Sequence, residues 1–307
     1  QPLGWLLEAD NPSARALTLK HLLDRPAGDA DLAAARAAIP AWGPARDTLA
    51  AQWPGGYWMA PGAGYSPRHR ATVWQVIFLA ALGAPRTAAI DAACAYVLDH
   101  SRLPDGRFCA GKTAGQATAG LNGSLLRAFG QLGYEDPRLN RTAQALAEMV
   151  LRPRPGRQRG PAEQGADRGD GVRALAGLAA LPASSRPPEV DEALGAMVDV
   201  LLAEDGRALL AGQAAPGRRD EWQRFGFPPA DTADLLEAME ALVEAGRGAD
   251  PRLAGARQVV RDKRDRDGRW ALERAPDNTW ASFGQVGRPD KWITLRALRV
   301  LKMEEPG

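Results

Sequence analysis

The sequence predicts an all-α protein that forms a closed α/α barrel (toroid) of about five to six helical hairpins. Two observations predict this fold. Short glycine-centred segments recur at nearly fixed intervals, and two helical stretches of different amphipathic character precede each segment. The segments are centred on Gly56, Gly106, Gly156, Gly206 and Gly268, at intervals of 50, 50, 50 and 62 residues. A unit of this length that recurs along the chain indicates a repeat architecture.

The second helical stretch of each unit is apolar on one face only. Its apolar residues are spaced by three and four, which is typical of an amphipathic helix with one buried face. The stripes begin at Ile90, Leu139, Val190 and Leu253, which precede the following glycine by 16, 17, 16 and 15 residues. We therefore predict an outer helix at each of these places.

The first helical stretch of each unit is apolar around most of its circumference, as expected for an interior helix. Glycine follows most of these stretches and proline begins the next helix, in agreement with the capping preferences of helices. No run shows the sustained alternation of a β-strand, so few strands are expected. The predicted inner helices are 72–82, 123–132, 172–181 and 233–245.

Both ends of the chain carry apolar faces, in the predicted helices at 12–23 and 292–303. The terminal repeats of an open solenoid present a polar outer face instead. The apolar ends therefore favour closure of the ring, and we expect one domain that covers residues 1–307.

The composition is typical of a globular protein with a sizeable core: 45% of the 307 residues are hydrophobic, 25% are charged, and the net charge is +2. The arginines are scattered among acidic residues, which indicates a solvated surface and argues against nucleic acid as a partner. No apolar run reaches the length of a transmembrane segment. Contact with a membrane, if there is any, is therefore expected to be peripheral. Two cysteines and the absence of a signal-peptide pattern predict a cytoplasmic protein.

Several segments resemble known repeat proteins. Gln52-x-x-x-Gly56-x-Trp58, and weaker versions at 105–108 and 267–270, resemble the Q-W motif of squalene-hopene cyclases and the matching loops of protein prenyltransferase β-subunits. The resemblance implies an α/α toroid, but a fold does not carry a function with it. Further segments resemble small bacterial proteins described as prenyltransferase or squalene-oxidase repeat proteins: 7–13, 72–75, 121–126 and 290–298.

The resemblance to the cyclases implies a strong acid from an Asp-x-Asp-Asp motif, which this chain lacks. The nearest match is Asp231-Thr232-Ala233-Asp234, at the start of a predicted inner helix. Two carboxyl groups at i and i+3 could share a proton and leave Asp231 or Asp234 as an acid. Alternatively, Asp231 is an N-cap and Asp234 a first-turn carboxylate favoured by the helix dipole.

Arg68, His69 and Arg70 form a basic group just before the predicted helix at 72. Cations are unfavourable at a helix N-terminus, so the group predicts a bound anion such as a diphosphate. Alternatively, these side chains are solvated or paired with carboxylates. Lys291, beside Trp292, is a weaker group of the same kind. Mg²⁺ is expected only with a diphosphate, and the histidines and cysteines lack the spacing of zinc ligands, so no metal site is predicted.

Aromatic residues cluster near the starts of the predicted inner helices. We expect them to line a central cavity that opens where those helices begin and that suits an isoprenoid. Alternatively, they fill the centre of the barrel. Gln75 and Asn122, which are polar residues on apolar helices, are either ties between helices or contacts of the pocket. The aromatic set is Trp74, Trp222, Phe225, Phe227, Trp280, Phe283 and Trp292.

Two functions follow from these patterns. The first is binding of an isoprenoid or terpenoid, a hydrophobic small molecule with or without an anionic head, which extends to terpene cyclase- or prenyltransferase-like catalysis. The second is non-catalytic binding or a protein-interaction scaffold on the same fold. The missing acid and zinc motifs favour the second function, whereas the polar and cationic residues at the predicted opening favour the first. The Arg/Gly-rich segment at 152–169 is predicted to be a loop.

Overall fold

The computed structural model describes residues 2–152, 161–211 and 219–303, which contain helices, turns and three isolated β-bridges but no β-strand. Gly156 lies outside the described residues. The predicted loop at 152–169 is helical over residues 161–169, which belong to α9. The helices are α1 (Pro2–Leu6), α2 (Pro12–His21), α3 (Ala30–Ala38), α4 (Gly43–Ala50), α5 (Thr72–Ala81), α6 (Ala88–His100), α7 (Ala119–Leu132), α8 (Arg138–Leu151), α9 (Pro161–Ala179), α10 (Pro188–Leu201), α11 (Arg207–Ala211), α12 (Arg219–Trp222), α13 (Leu235–Glu244), α14 (Ala254–Asp262) and α15 (Lys291–Lys302).

Six of the described helices form an inner ring. Contacts join α5 to α7, α7 to α9, α9 to α13, α13 to α15, and α15 to α2. The ring closes between α2 and α5, where the Ser13 hydroxyl donates a hydrogen bond of 2.6 Å to the Leu82 carbonyl oxygen. Outer helices pack on this ring, for example α6 on α5 and α8 on α7. The predicted α/α barrel is therefore confirmed.

The glycine segments that the structure describes place their loops against the start of the next outer helix. Gly206 shows why glycine is needed: its φ is +79°, and a Cβ atom there would lie 2.1 Å from the carbonyl oxygen of Arg252, just before α14. Gly268 has the same φ of +79° and lies against Pro2 of α1, with 3.1 Å from an added Cβ to the proline ring. The last segment of the chain therefore contacts the first helix.

The aromatic residue two positions after three of these glycines ties its loop to a following inner helix. The Trp58 N–H donates to the Thr72 hydroxyl over 3.1 Å, and the Trp270 N–H donates to the Thr294 hydroxyl over 3.0 Å. At the equivalent place, the Phe108 N–H donates to the Asn122 side-chain oxygen over 2.7 Å. All three aromatic side chains are buried. The repeat is thus one hydrogen-bond arrangement used three times.

Lys291 and Trp292 connect the two ends of the chain. The Lys291 ammonium donates to Glu8, over 2.9 Å, and also to Asp10. The Trp292 indole N–H donates to the Ser13 hydroxyl over 3.2 Å. These contacts confirm the predicted closure of the ring, and they assign Lys291 to this junction.

Candidate functional site

The centre of the ring contains a cavity of about 350 Å³, bounded mainly by the C-terminal halves of the inner helices. It reaches solvent at Lys20 and Arg36, which line it and are exposed. The cavity therefore opens where the inner helices end. The prediction that the central cavity opens where they begin is wrong, because the stacked rings of Phe227 and Trp292 lie at its other end.

The aromatic residues at the starts of the inner helices pack on one another. Phe227 stacks on Trp292 with 4.5 Å between ring centroids, and it contacts Phe283 at 6.3 Å. Phe283 contacts Phe78 at 5.4 Å, and Phe78 contacts Trp74 at 6.3 Å. Of these, Phe227 and Trp292 line the central cavity. The predicted aromatic lining therefore holds for Phe227 and Trp292, whereas Trp74 and Phe283 pack in the centre of the barrel, as in the alternative.

The remaining predicted tryptophans have structural hydrogen bonds. The indole N–H groups of Trp74, Trp222 and Trp280 donate to the carbonyl oxygens of Tyr65, Leu209 and Arg70, each over 2.9 Å. Small apolar side chains, most of them alanines of the inner helices, line the cavity instead. They are Ala16, Leu17, Ile77, Ala80, Ala81, Ala128, Ala176, Ala179, Ala180 and Leu295.

Charged residues that sequence reasoning missed also line the cavity. Helix α13 presents Glu237, Glu240 and Glu244 to it, and the surrounding helices present basic side chains. The three glutamates are spaced by three and four residues on a helix that is otherwise apolar. This spacing places them on one face and could have revealed them in the sequence. The basic residues are Lys20, Arg36, Arg127, Arg173, Arg296 and Arg299. The view that the arginines form a solvated surface is wrong for Arg173 and Arg296, which are buried.

At the inner end of the cavity, two arginines face three carboxylates. Arg173 pairs with Glu237 at 3.4 Å. Arg296 pairs with Glu240 at 2.8 Å and with Asp234 at 3.6 Å. We call these five residues the inner end. Arg274, which does not line the cavity, also pairs with Asp234 at 3.6 Å, so each of the three carboxylates has a cation as partner.

The opposite end, which we call the mouth, carries Lys20, Arg36, Arg127 and Arg299 around Glu244. Glu244 accepts from Arg127 over 2.8 Å and from Arg299 over 3.1 Å. Among the described residues, neither Lys20 nor Arg36 has a carboxylate within ion-pair distance. The mouth therefore has four cations and one carboxylate, apart from a 3.9 Å contact of Arg299 with Glu240 of the inner end.

The imbalance at the mouth affects its titratable groups. Burial, then Arg36 and Arg299, lowers the pKa of Lys20. Burial, then Arg299 and Lys20, lowers the pKa of His21 to about 3, so this imidazole is neutral near pH 7. Burial raises the pKa of Glu244, but Arg127 and Arg299 outweigh it, and the pKa is lowered overall. Burial is the largest cause for Lys20 and His21, and the neighbouring cations lower all three pKa values, because a positive potential disfavours bound protons.

The two aspartates proposed as an acid pair have different partners. Asp234, not Asp231, is the N-cap of α13; it accepts from the N–H groups of Glu237 and Gly226 over 2.7 and 2.8 Å. Asp231 precedes the helix and pairs with His69 at 2.7 Å and Arg68 at 3.3 Å. The predicted shared proton is therefore wrong: the helix begins after Asp234, so the two carboxylates do not lie on one helical face.

His69 is held by two acceptors. Its Nε2 lies 2.7 Å from the Asp231 carboxylate, and its Nδ1 lies 3.0 Å from the Asp277 carbonyl oxygen. Burial raises the pKa of Asp231, but the hydrogen bond from His69 and the charge of Arg68 together outweigh burial. The pKa is lowered overall, so Asp231 is ionised. Both ring nitrogens must then donate. The Asp231 hydrogen bond accordingly raises the pKa of His69 against the effect of burial.

The basic group at 68–70 thus joins loops of the barrel. Arg68 and His69 contact Asp231, and the Arg70 guanidinium lies 3.8 Å from the centroid of the Trp280 ring. The contacts of Arg68 and His69 agree with the alternative that the cations pair with carboxylates, whereas Arg70 packs on an aromatic ring. A second cavity of about 280 Å³ lies beside His69 and Asp231 and shares Pro229, Glu237 and Arg296 with the central one.

Gln75 and Asn122 are ties between segments. Asn122 accepts from the Phe108 N–H over 2.7 Å and donates to the Phe108 and Thr118 carbonyl oxygens over 3.0 and 2.8 Å. The Gln75 amide donates to the His69 carbonyl oxygen over 2.9 Å. Neither side chain lines a cavity described here.

Within the described part of the chain, no three His, Cys, Asp or Glu side chains are grouped so that they could hold a metal ion. No helix of that part is both long and apolar enough to cross a membrane.

Comparisons with known proteins found no matching family model and no matching curated protein. Three structures of the type II terpene cyclase MstE from Scytonema are similar to this chain. A variant with its product merosterolic acid A has 12% identity and a TM-score of 0.35, over 96% of this chain and 97% of that one. The apo enzyme has 15% identity and a TM-score of 0.32, over 83% of this chain and 94% of that one.

A further variant, with the substrate geranylgeranyl dihydroxybenzoate, has 14% identity and a TM-score of 0.33, over 99% of this chain and 97% of that one. The assignment of the barrel rests on the helix contacts of this chain. The likeness to prenyltransferase repeat proteins remains a resemblance of sequence motifs.

Proposed function

We propose that the chain binds an amphipathic small molecule in the central cavity, with an anionic head at the mouth and an isoprenoid or similar apolar chain inside. The observation that carries this proposal is the charge of the mouth, where Lys20, Arg36, Arg127 and Arg299 face a single carboxylate, Glu244. Two largely buried arginines share this one carboxylate, and the two exposed cations have none, so the excess favours an anionic ligand.

The walls fit the apolar part of such a ligand. Alanine and leucine side chains of the inner helices lead from the mouth to Phe227 and Trp292 at the far end. The volume of about 350 Å³ is at the lower end of the range for small-molecule sites, which favours a short chain. Guanidinium and ammonium groups bind phosphate or carboxylate directly, whereas Mg²⁺ prefers acidic oxygen ligands, which are scarce at the mouth.

Binding without cyclase-type catalysis is the function that this geometry favours. Asp231 is ionised against His69, and Asp234 accepts two backbone N–H groups and pairs with Arg296. Neither carboxyl group is therefore placed to give up a proton. We therefore do not propose catalysis with Asp231 or Asp234 as the acid, although both border the second cavity.

The excess of cations has one competing explanation. Helix C-termini carry partial negative charge, and Lys20 and Arg299 lie toward the ends of α2 and α15. If these residues only neutralise helix ends, each of them stabilises the protein without a ligand. If they await an anion, the lowered pKa of Lys20 means that its charge is unfavourable in the empty cavity.

The variant Lys20→Met separates the two explanations. We expect Tm of the ligand-free protein to rise by about 1–2 °C, from relief of ~0.5 kcal/mol of charge repulsion at an exposed position. We also expect farnesyl phosphate and farnesoic acid to bind the unmodified protein at least tenfold more tightly than farnesol, and Lys20→Met to lose much of that preference. Isothermal titration and thermal unfolding measure both.

Lys112→Met is the matched control, because Lys112 is exposed and does not line the cavity. It should change neither Tm nor the preference for the anion. Equal affinity of the unmodified protein for farnesol and farnesyl phosphate would contradict the proposed function. A fall of Tm in Lys20→Met with unchanged affinities for the three ligands would show that the lysine neutralises the C-terminal end of α2 and does not bind the anion.

A further inference from the structure

We propose that the ligand of the central cavity also carries a neutral oxygen, a hydroxyl or a carbonyl group, at its inner terminus. This inference rests on the proposed function and specifies its ligand class. It comes from two hydrogen-bond donors at the inner end, one on Arg173 and one on Arg296, that have no acceptor among the described residues.

The Arg173 guanidinium is fixed by its other nitrogens. Its Nη1 donates to the Asp231 carbonyl oxygen over 3.0 Å, and its Nε donates to Glu237 over 3.4 Å. Its Nη2 is buried and has no hydrogen-bond partner among the described residues. The side chain is 10% exposed, so bulk water does not readily replace the missing acceptor.

Arg296 has the same pattern. Its Nε donates to Glu240 over 2.8 Å, and its Nη1 donates to the Gly226 carbonyl oxygen over 2.5 Å. Its Nη2 lies 3.6 Å from Asp234, which is an ion-pair contact beyond hydrogen-bond range. The side chain is 8% exposed. A buried donor without an acceptor is unfavourable, so both groups favour an acceptor from a bound molecule.

Charge decides that this acceptor is neutral. The charges of the inner end are already balanced, because three carboxylates pair there with Arg173, Arg296 and Arg274. A second anionic group would find no cation there without a carboxylate, whereas a hydroxyl or carbonyl oxygen accepts hydrogen bonds without adding charge. The mouth and the inner end thus select different chemical groups.

The length of the ligand follows from α13. Glu244 at the mouth and Glu237 at the inner end are seven residues apart on this helix, which is about 10 Å at 1.5 Å per residue. An extended chain of roughly eight to ten carbon atoms spans that distance. Both arginines line the same cavity as the mouth cations, so one molecule can contact both ends.

Titration of the unmodified protein with decanoate and ω-hydroxydecanoate tests the inference. We expect the hydroxy acid to bind about tenfold or more tightly than decanoate, because hydrogen bonds to charged donors are among the stronger ones. Decanedioate, with a second carboxylate, should bind less tightly than ω-hydroxydecanoate. Binding of none of the three would contradict the proposed function itself. Equal binding of the first two, or tightest binding of decanedioate, would overturn only this inference.

The variant Arg173→Lys assigns the effect to the donor. Lysine keeps a positive charge beside Glu237 and removes the Nη2 group, and circular dichroism shows whether the variant folds. We expect the preference for ω-hydroxydecanoate to fall to less than threefold, with the affinity for decanoate unchanged. An unchanged preference in a folded Arg173→Lys protein would overturn the inference. If the variant does not fold, the ligand series on the unmodified protein decides the question.

Discussion

Replacement of Asn122 by leucine is expected to lower the free energy of unfolding by about 3 kcal/mol or more. Asn122 is fully buried and satisfies both the N–H and the carbonyl oxygen of Phe108. Leucine has a similar size but no polar atom, so both backbone groups of Phe108 would be left without a partner, at about 1–3 kcal/mol each. Urea unfolding followed by circular dichroism measures the loss.

Asn140→Leu is the control, because it makes the same exchange at an exposed position of α8. It should change the free energy of unfolding by less than about 0.5 kcal/mol. If Asn122→Leu were equally mild, the hydrogen bonds between Asn122 and Phe108 would not be what holds this repeat loop on its inner helix.

Replacement of Glu244 by glutamine is expected to destabilise the ligand-free protein by about 3 kcal/mol. Glu244 is the carboxylate between Arg127 and Arg299, both of which are largely buried. Loss of its charge leaves the mouth with cations alone, and removal of one partner from a buried ion pair typically costs about 3–5 kcal/mol. Because the mouth of the variant carries more uncompensated positive charge, phosphate or decanoate should raise the Tm of the variant more than the Tm of the unmodified protein.

The corresponding control is Glu148→Gln. Glu148 pairs with Arg141 at 3.3 Å on the surface of α8, where both side chains are about half exposed. Exposed pairs of this kind contribute about 0–1 kcal/mol. Equal stability of Glu244→Gln and Glu148→Gln, or a Tm of Glu244→Gln that does not respond to anions, would contradict the charge imbalance described for the mouth.

The helices and their closure could be predicted because they depend on local patterns. Burial on one face or on all faces sets the apolar spacing, and the glycines mark turns whose backbone other residues rarely adopt. Gly206 and Gly268 illustrate this, since both have a positive φ and lie against a helix start. The N-cap of α13 was misplaced by three residues because Asp231 and Asp234 both suit that position.

The cavity could not be predicted, because its lining depends on which side chains of six different helices face the axis. Arg127 and Arg173 resemble the other arginines in the sequence, and only the barrel brings them opposite Glu244 and Glu237. The aromatic residues were assigned to the lining because they occur near helix starts. In the structure Phe283, one of these residues, packs against Phe78 and Phe227, since large apolar rings gain more from mutual contact than from facing an open space.

The central claim is that the mouth cations lack a counter-anion, and linked proton uptake tests it most directly. Isothermal titration with decyl sulfate, whose head does not titrate, is performed near pH 5 in two buffers of different ionisation enthalpy. An anion at the mouth offsets the repulsion from Arg299 and Lys20 that, after burial, lowers the pKa of His21 to about 3. This pKa should therefore rise, and a proton is taken up as the ligand binds. The account predicts uptake that disappears in His21→Gln; binding with no uptake, or with proton release, would contradict it.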